Sequence, residues 1–133
     1  MAADKVNFGR YGKTFQEGLV QLIFEDRPFA DQITEVLDVN FIELEYLRVF
    51  LRKTLQFRQK YDRHPSVDAM LTIIKTELDE EDDVLQEQVQ DYFGRMHKRE
   101  VTDVGYIKET SLGLGYSFEI SITINGWLPP NPS

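Results

Sequence analysis

The stretch ELEYLRVFLRKTLQFRQKY, residues 43–61, decides the fold class. Leu44, Leu47, Leu51 and Leu55 recur every three or four positions, Phe50 and Phe57 widen the stripe, and no glycine or proline interrupts it. That spacing gathers the apolar side chains on one face of an α-helix. A stripe this wide predicts a helix that touches more than one neighbour, and therefore a bundle.

Working toward the N-terminus, Phe29, Ile33, Val36 and Leu37 show the same spacing and predict a helix over 28–38, with Val39-Asn40-Phe41 as the connection. Arg27-Pro28 separates it from a first helix over 13–26, whose stripe is Phe15, Leu19, Leu22 and Ile23. The residue before a proline avoids the helical region, and proline itself suits a first helical turn. Toward the C-terminus, His64-Pro65-Ser66 stops the long helix, and Ser66 is placed to cap the next. A fourth helix carries Val67, Met70, Leu71, Ile74 and Leu78. The acidic tract 79–83 reads as a solvated link whose carboxylates also suit the N-terminus of a fifth helix, where the helix dipole favours negative charge. Leu85, Val89, Tyr92, Phe93 and Met96 mark that helix, and a sixth starts at Val104 and fades near Ser111.

Beyond Ser111 the period changes. Tyr116, Phe118, Ile120, Ile122 and Ile124 alternate with polar residues, as a half-buried strand does, yet no earlier segment reads as a partner. The expected architecture is all-α: a compact bundle of five to six helices with a short strand-like or irregular C-terminal tail. It divides into an arm (1–12), the helical domain (13–111) and the tail (112–133). The tail is expected to be weakly anchored or to mediate self-association. The expected core is Phe15, Leu19, Leu47, Leu51, Leu71, Ile74, Leu85, Val89 and Phe93.

With 133 residues, 41% of them hydrophobic, the chain is long enough for one domain with its own core. It has no cysteine, which excludes disulfides, thiolate catalysis and Cys-based metal sites. No apolar run approaches the roughly 18 residues of a membrane span, and residues 1–10 lack a signal-peptide core. A soluble, cytoplasmic protein is expected. The net charge is −8, and it is unevenly placed: cations and acids balance up to Ser66, and all the excess acid follows it. Such a balance argues against direct nucleic-acid binding.

Gly12-Lys13-Thr14 invites a phosphate-loop reading, but the motif needs a glycine five positions before Gly12, where Asn7 stands, so a helix start accounts for it better. His64 and His97 lie in different elements, and the acidic tract lacks the alternation and central glycine of a calcium loop. No catalytic, cofactor-binding or metal-ligating residue is assigned. The remaining polar signal is cationic: Arg48, Arg52, Lys53, Arg58, Lys60 and Arg63, with Asp62 alone among them. One reading is an ordinary wet face opposite the leucine stripe. The sharper one is a docking face for an acidic partner, made by Arg48, Arg52, Lys53 and Arg58 with apolar contact from Phe50 and Phe57. A second copy of the chain qualifies as that partner, because residues 77–91 hold eight acids and no cation.

Several phrases carry a resemblance: Tyr11-Gly12-Lys13-Thr14-Phe15-Gln16, residues 38–41 before the long helix, Lys60-Tyr61-Asp62-Arg63-His64-Pro65-Ser66 after it, and Asp103-Val104-Gly105-Tyr106-Ile107-Lys108-Glu109. In these phrases and in element order, residues 8–111 resemble the N-terminal helical domain of DnaB-like replicative helicases in their phage form. The resemblance implies a helical collar domain in DNA replication that pairs with its neighbours and docks primase or a loader, with no chemistry of its own. In that family a linker and an ATPase domain follow. Here the tail departs from the pattern, so helicase activity belongs to the resembled family and not to these residues. Two alternatives stand beside it. One is a free-standing helical phage protein that binds a replication partner. The other is a small helix-turn-helix DNA binder, against which Glu87 and Asp91 on the would-be recognition helix count, since phosphates would repel them.

Overall fold

The computed structural model describes residues 8–113. Within them the chain is helical, with no strand: α1 (Gly12–Glu25), α2 (Arg27–Ile33), α3 (Glu45–Tyr61), α4 (Val67–Thr76), α5 (Asp83–Met96) and a sixth helix, α6, over residues 104–113. Short 3-10 turns at Gly9–Tyr11 and Val39–Phe41 precede α1 and α3. The all-α expectation holds. The alternating segment 116–124 lies outside the described residues.

The helix boundaries follow local chemistry. The Asp26 carboxylate caps α2 by accepting the Phe29 N–H at 3.0 Å, with Pro28 in the first turn. Ser66 caps α4 through the Ala69 N–H, and Asp82 caps α5 through the Leu85 N–H. The acidic tract thus supplies a cap as well as a favourable charge at the dipole. Asp62 ends α3 in the left-handed region, with φ at 54°. α3 has no side-chain cap of its own; Gln16 of α1 accepts the Glu43 and Leu44 N–H groups at 2.8 and 3.2 Å.

The second helix is shorter than its periodicity predicts. α2 ends at Ile33, and Val36 and Leu37 are buried from a turn in which both of their N–H groups bond the Ile33 carbonyl. A turn can place two apolar side chains on the same stripe as the preceding helix, so spacing alone does not separate the two. The core also reaches back to Phe8, which is fully buried against Phe15 and Phe41 and bonds the Phe41 carbonyl through its N–H. Part of the expected arm therefore belongs to the bundle. α6 continues through residue 113, two positions past the expected domain end.

α1 is the hub. It packs on α2 and α3, α3 packs on α5, and α5 on α4. Phe24, Phe50, Tyr92 and Phe93 meet at the centre with ring centroids 5.4–5.8 Å apart, the tilted and edge-on distances aromatic pairs favour. α6 closes over α1 at Gly18, where a Cβ would sit 3.1 Å from the Ile107 side chain and 3.3 Å from that of Val101. Glycine inside a helix costs about 1 kcal/mol relative to alanine. Here it permits that close approach. Of the expected core, Leu71 is the exception: it is 39% exposed, because α4 turns Met70 and Ile74 inward and Leu71 lies one position off that face.

Candidate interaction site

Two polar regions differ in whether their groups are already engaged. The first is inside. Glu17 of α1 is buried, with its side chain 3% exposed, and its carboxylate receives a two-pronged bond from Arg95 (3.0 and 2.9 Å), one from Arg99 (3.1 Å) and one from the Tyr46 hydroxyl. The Tyr92 hydroxyl donates to the Glu17 carbonyl at 2.6 Å, and Gln21 ties the chain after α5 to α1 by donating to the Arg99 carbonyl at 2.9 Å. Burial alone would push the Glu17 carboxyl up. The Arg95, Tyr46 and Arg99 donors outweigh it and hold the group at about 2, against an ordinary 4.5. Burial, and then the adjacent carboxylate, push the Tyr46 and Tyr92 hydroxyls up. A carboxylate ionised so far below neutral pH, with its lone pairs taken, is a fastener between α1, α3 and α5 and not a proton shuttle. No buried side-chain nitrogen or oxygen among the described residues is left without a partner.

Sequence spacing missed this centre. A signal was present: residues 18–24 carry no charge, and Leu19, Val20, Leu22, Ile23 and Phe24 cover more than one stripe, the mark of a helix wrapped on most sides. A charge on such a helix must meet a counter-charge from elsewhere in the chain.

The second region is a surface groove of about 720 Å³ between the C-terminal half of α3 and α4. Its walls follow helical spacing, with Lys53, Phe57 and Lys60 on α3 facing Ala69, Ile73 and Glu77 across it. Phe57 is 9% exposed, with the Tyr61 ring 4.7 Å away and the Arg63 guanidinium 5.3 Å from its centroid. Tyr61, which also lines the groove, is 52% exposed, while Val67 and Leu71, at 48% and 39%, lie outside its lining. The groove presents an apolar floor with lysines along one rim.

The expected docking residues therefore separate. Lys53 and Phe57 line the groove, and Arg52 is exposed beside it. Arg48 is not on a free face: its guanidinium donates to the Ile42 and Glu43 carbonyls at 3.0 and 2.8 Å, holding the turn before α3. Arg58 is likewise engaged, pairing with Asp31 of α2 and donating to His64 Nδ1 at 2.7 Å. His64 in turn donates from Nε2 to the Phe24 carbonyl, so its ring links α1 to the α3–α4 loop. Phe50 is a correction: it is fully buried in the aromatic centre and cannot supply interface contact. Alternate positions along α3 look alike in sequence, but the turn before α3 and the face of α2 take up two of the arginines.

A smaller cleft of about 360 Å³ lies between α1 and the 99–107 segment, floored by Phe15 and Ile107 and edged by Tyr11 and Tyr106. Among the described residues no three His, Cys, Asp or Glu side chains converge to hold a metal, and no helix is long and apolar enough to cross a membrane. No family model matches the chain, and neither a curated protein nor a solved structure is found similar to it.

Proposed function

We infer that this domain works by binding other proteins in a phage-type DNA-replication assembly in the cytoplasm, in the manner of the DnaB-like collar domains its sequence resembles: it joins subunits and docks a primase- or loader-type partner. The observation that carries this reading is the α3–α4 groove, where Phe57, Tyr61, Ala69 and Ile73 form an apolar strip with Lys53 and Lys60 along the α3 rim. Apolar side chains exposed together beside charged ones suit a contact surface. The engaged state of Glu17, Arg95 and Arg99 supports the same reading, because it removes the buried carboxylate from the groups available for chemistry. The replication context rests on the phrases in residues 8–111.

Calorimetric titration of the domain against the replicative helicase and the primase encoded in the same genome tests it. Saturable binding to either, lost on Phe57→Glu or Ile73→Glu, is the expected result. No binding to either protein at several hundred micromolar sinks the replication reading.

A further inference from the structure

We propose that the α3–α4 groove is occupied by the acidic 79–87 edge of a second copy of this chain, in a two-fold pair; this rests on the interaction reading above and names its partner. Three observations point to it. The groove's lysines are uncommitted: neither Lys53 nor Lys60 makes an ion pair among the described residues, and the Lys60 ammonium lies 5.3 Å from the centroid of the Tyr61 ring. The matching acids lie on the same chain. Asp79, Glu80, Asp83 and Glu87 are exposed, and Val84, at 68%, is the most exposed large apolar side chain among the described residues. An apolar knob ringed by carboxylates complements an apolar floor rimmed by lysines.

The third observation is placement. Glu77, which closes α4, lines the groove, and the acidic run begins two residues later. The acidic run therefore starts at the Glu77 end of the groove. Two patches of opposite charge lying side by side are self-complementary about a two-fold axis: each copy's lysines meet the other's carboxylates, and the contact forms twice. Such a pair closes on itself instead of growing.

Sedimentation equilibrium of the full chain at increasing concentration tests this, with two charge-reversal variants, Lys53→Glu/Lys60→Glu and Glu80→Lys/Glu87→Lys. All four positions are at or near the surface, and circular dichroism checks that both variants remain helical. The wild type should form a dimer in the high-micromolar range. Either variant alone should weaken it by roughly tenfold or more, because exposed pairs are individually weak but the contact is doubled. An equal mixture of the two variants should restore dimers, since each reversed patch then meets an opposite charge. A strict monomer at several hundred micromolar, an association unaffected by either reversal, or a mixture that fails to recover overturns the proposal. Titrating the same variants against the helicase and primase separates the two ideas: partner binding that survives loss of the dimer leaves the interaction reading standing without this interface.

Discussion

α1 and α4 handle their residues in opposite ways. α1 buries ten of its fourteen residues, including Gln16, Glu17 and Gln21, whereas α4 buries two of its ten and leaves Val67 and Leu71 in water. A polar group goes inside only if it is paired, and the cost of desolvating Glu17 is met by two arginines and a tyrosine. An apolar group outside carries no such requirement, and its exposure costs only the burial it forgoes. These few residues are the exceptions in a core that is otherwise apolar. What admits these exceptions is the number of neighbours that surround a helix: α1 lies against α2, α3, α5 and α6, whereas α4 packs on α5 and faces α3 across the groove.

The sharpest way to break this contrast is at the aromatic centre. Phe50→Ala should cost about 3–5 kcal/mol of stability, as removal of a buried ring does, measured by urea denaturation. A loss below about 1 kcal/mol would mean that α3 presents another face inward. Next, Glu17→Gln should cost about 2–4 kcal/mol, because it leaves Arg95, Arg99 and Tyr46 facing a neutral amide, a cost tempered by the partial exposure of both arginines.

The same carboxylate should govern acid stability. Its pKa falls from an ordinary 4.5 to about 2 on folding, so its stabilisation is complete above pH 4.5 and is lost as the pH drops toward 2. That interval corresponds to about 3 kcal/mol. Melting followed between pH 6 and pH 2.5 should show a loss in the wild type that is visibly smaller in Glu17→Gln. Parallel curves would place the acid sensitivity elsewhere, for instance at Asp26, which the Lys108 contact and the Phe29 N–H hold below the usual carboxylate range.

Smaller effects mark the α4 side. Ser66→Ala removes the α4 cap and should cost about 1 kcal/mol. Leu71→Ser should change stability by no more than about 0.5 kcal/mol, as surface substitutions do. A Leu71→Ser loss comparable to that of Phe50→Ala would show α4 packed far more deeply than its exposure indicates.

The periodic stretches and their punctuation were sufficient to read five helices, a sixth from Val104, the helix start at Pro28 and the cap at Ser66. Those features depend on residues within about four positions of one another, where side-chain spacing and backbone bonding act directly. The same spacing overran the end of α2 and assigned Leu71 to the core, because a turn or a one-position rotation leaves the pattern nearly intact. It assigned Arg48, Phe50 and Arg58 to one docking face, because each sits on an amphipathic helix of the right sign. Tertiary contact alone separated them. Tyr92 meets the Glu17 carbonyl across 75 positions and Arg99 meets its carboxylate across 82, and no local rule relates residues so far apart. The sequence by itself determined that the described residues, 8–113, are helical and about where their helices start. Only the packed bundle decided which arginines were spent on holding it together and which cations were left at the surface, because that depends on which distant groups the fold brings within hydrogen-bonding reach.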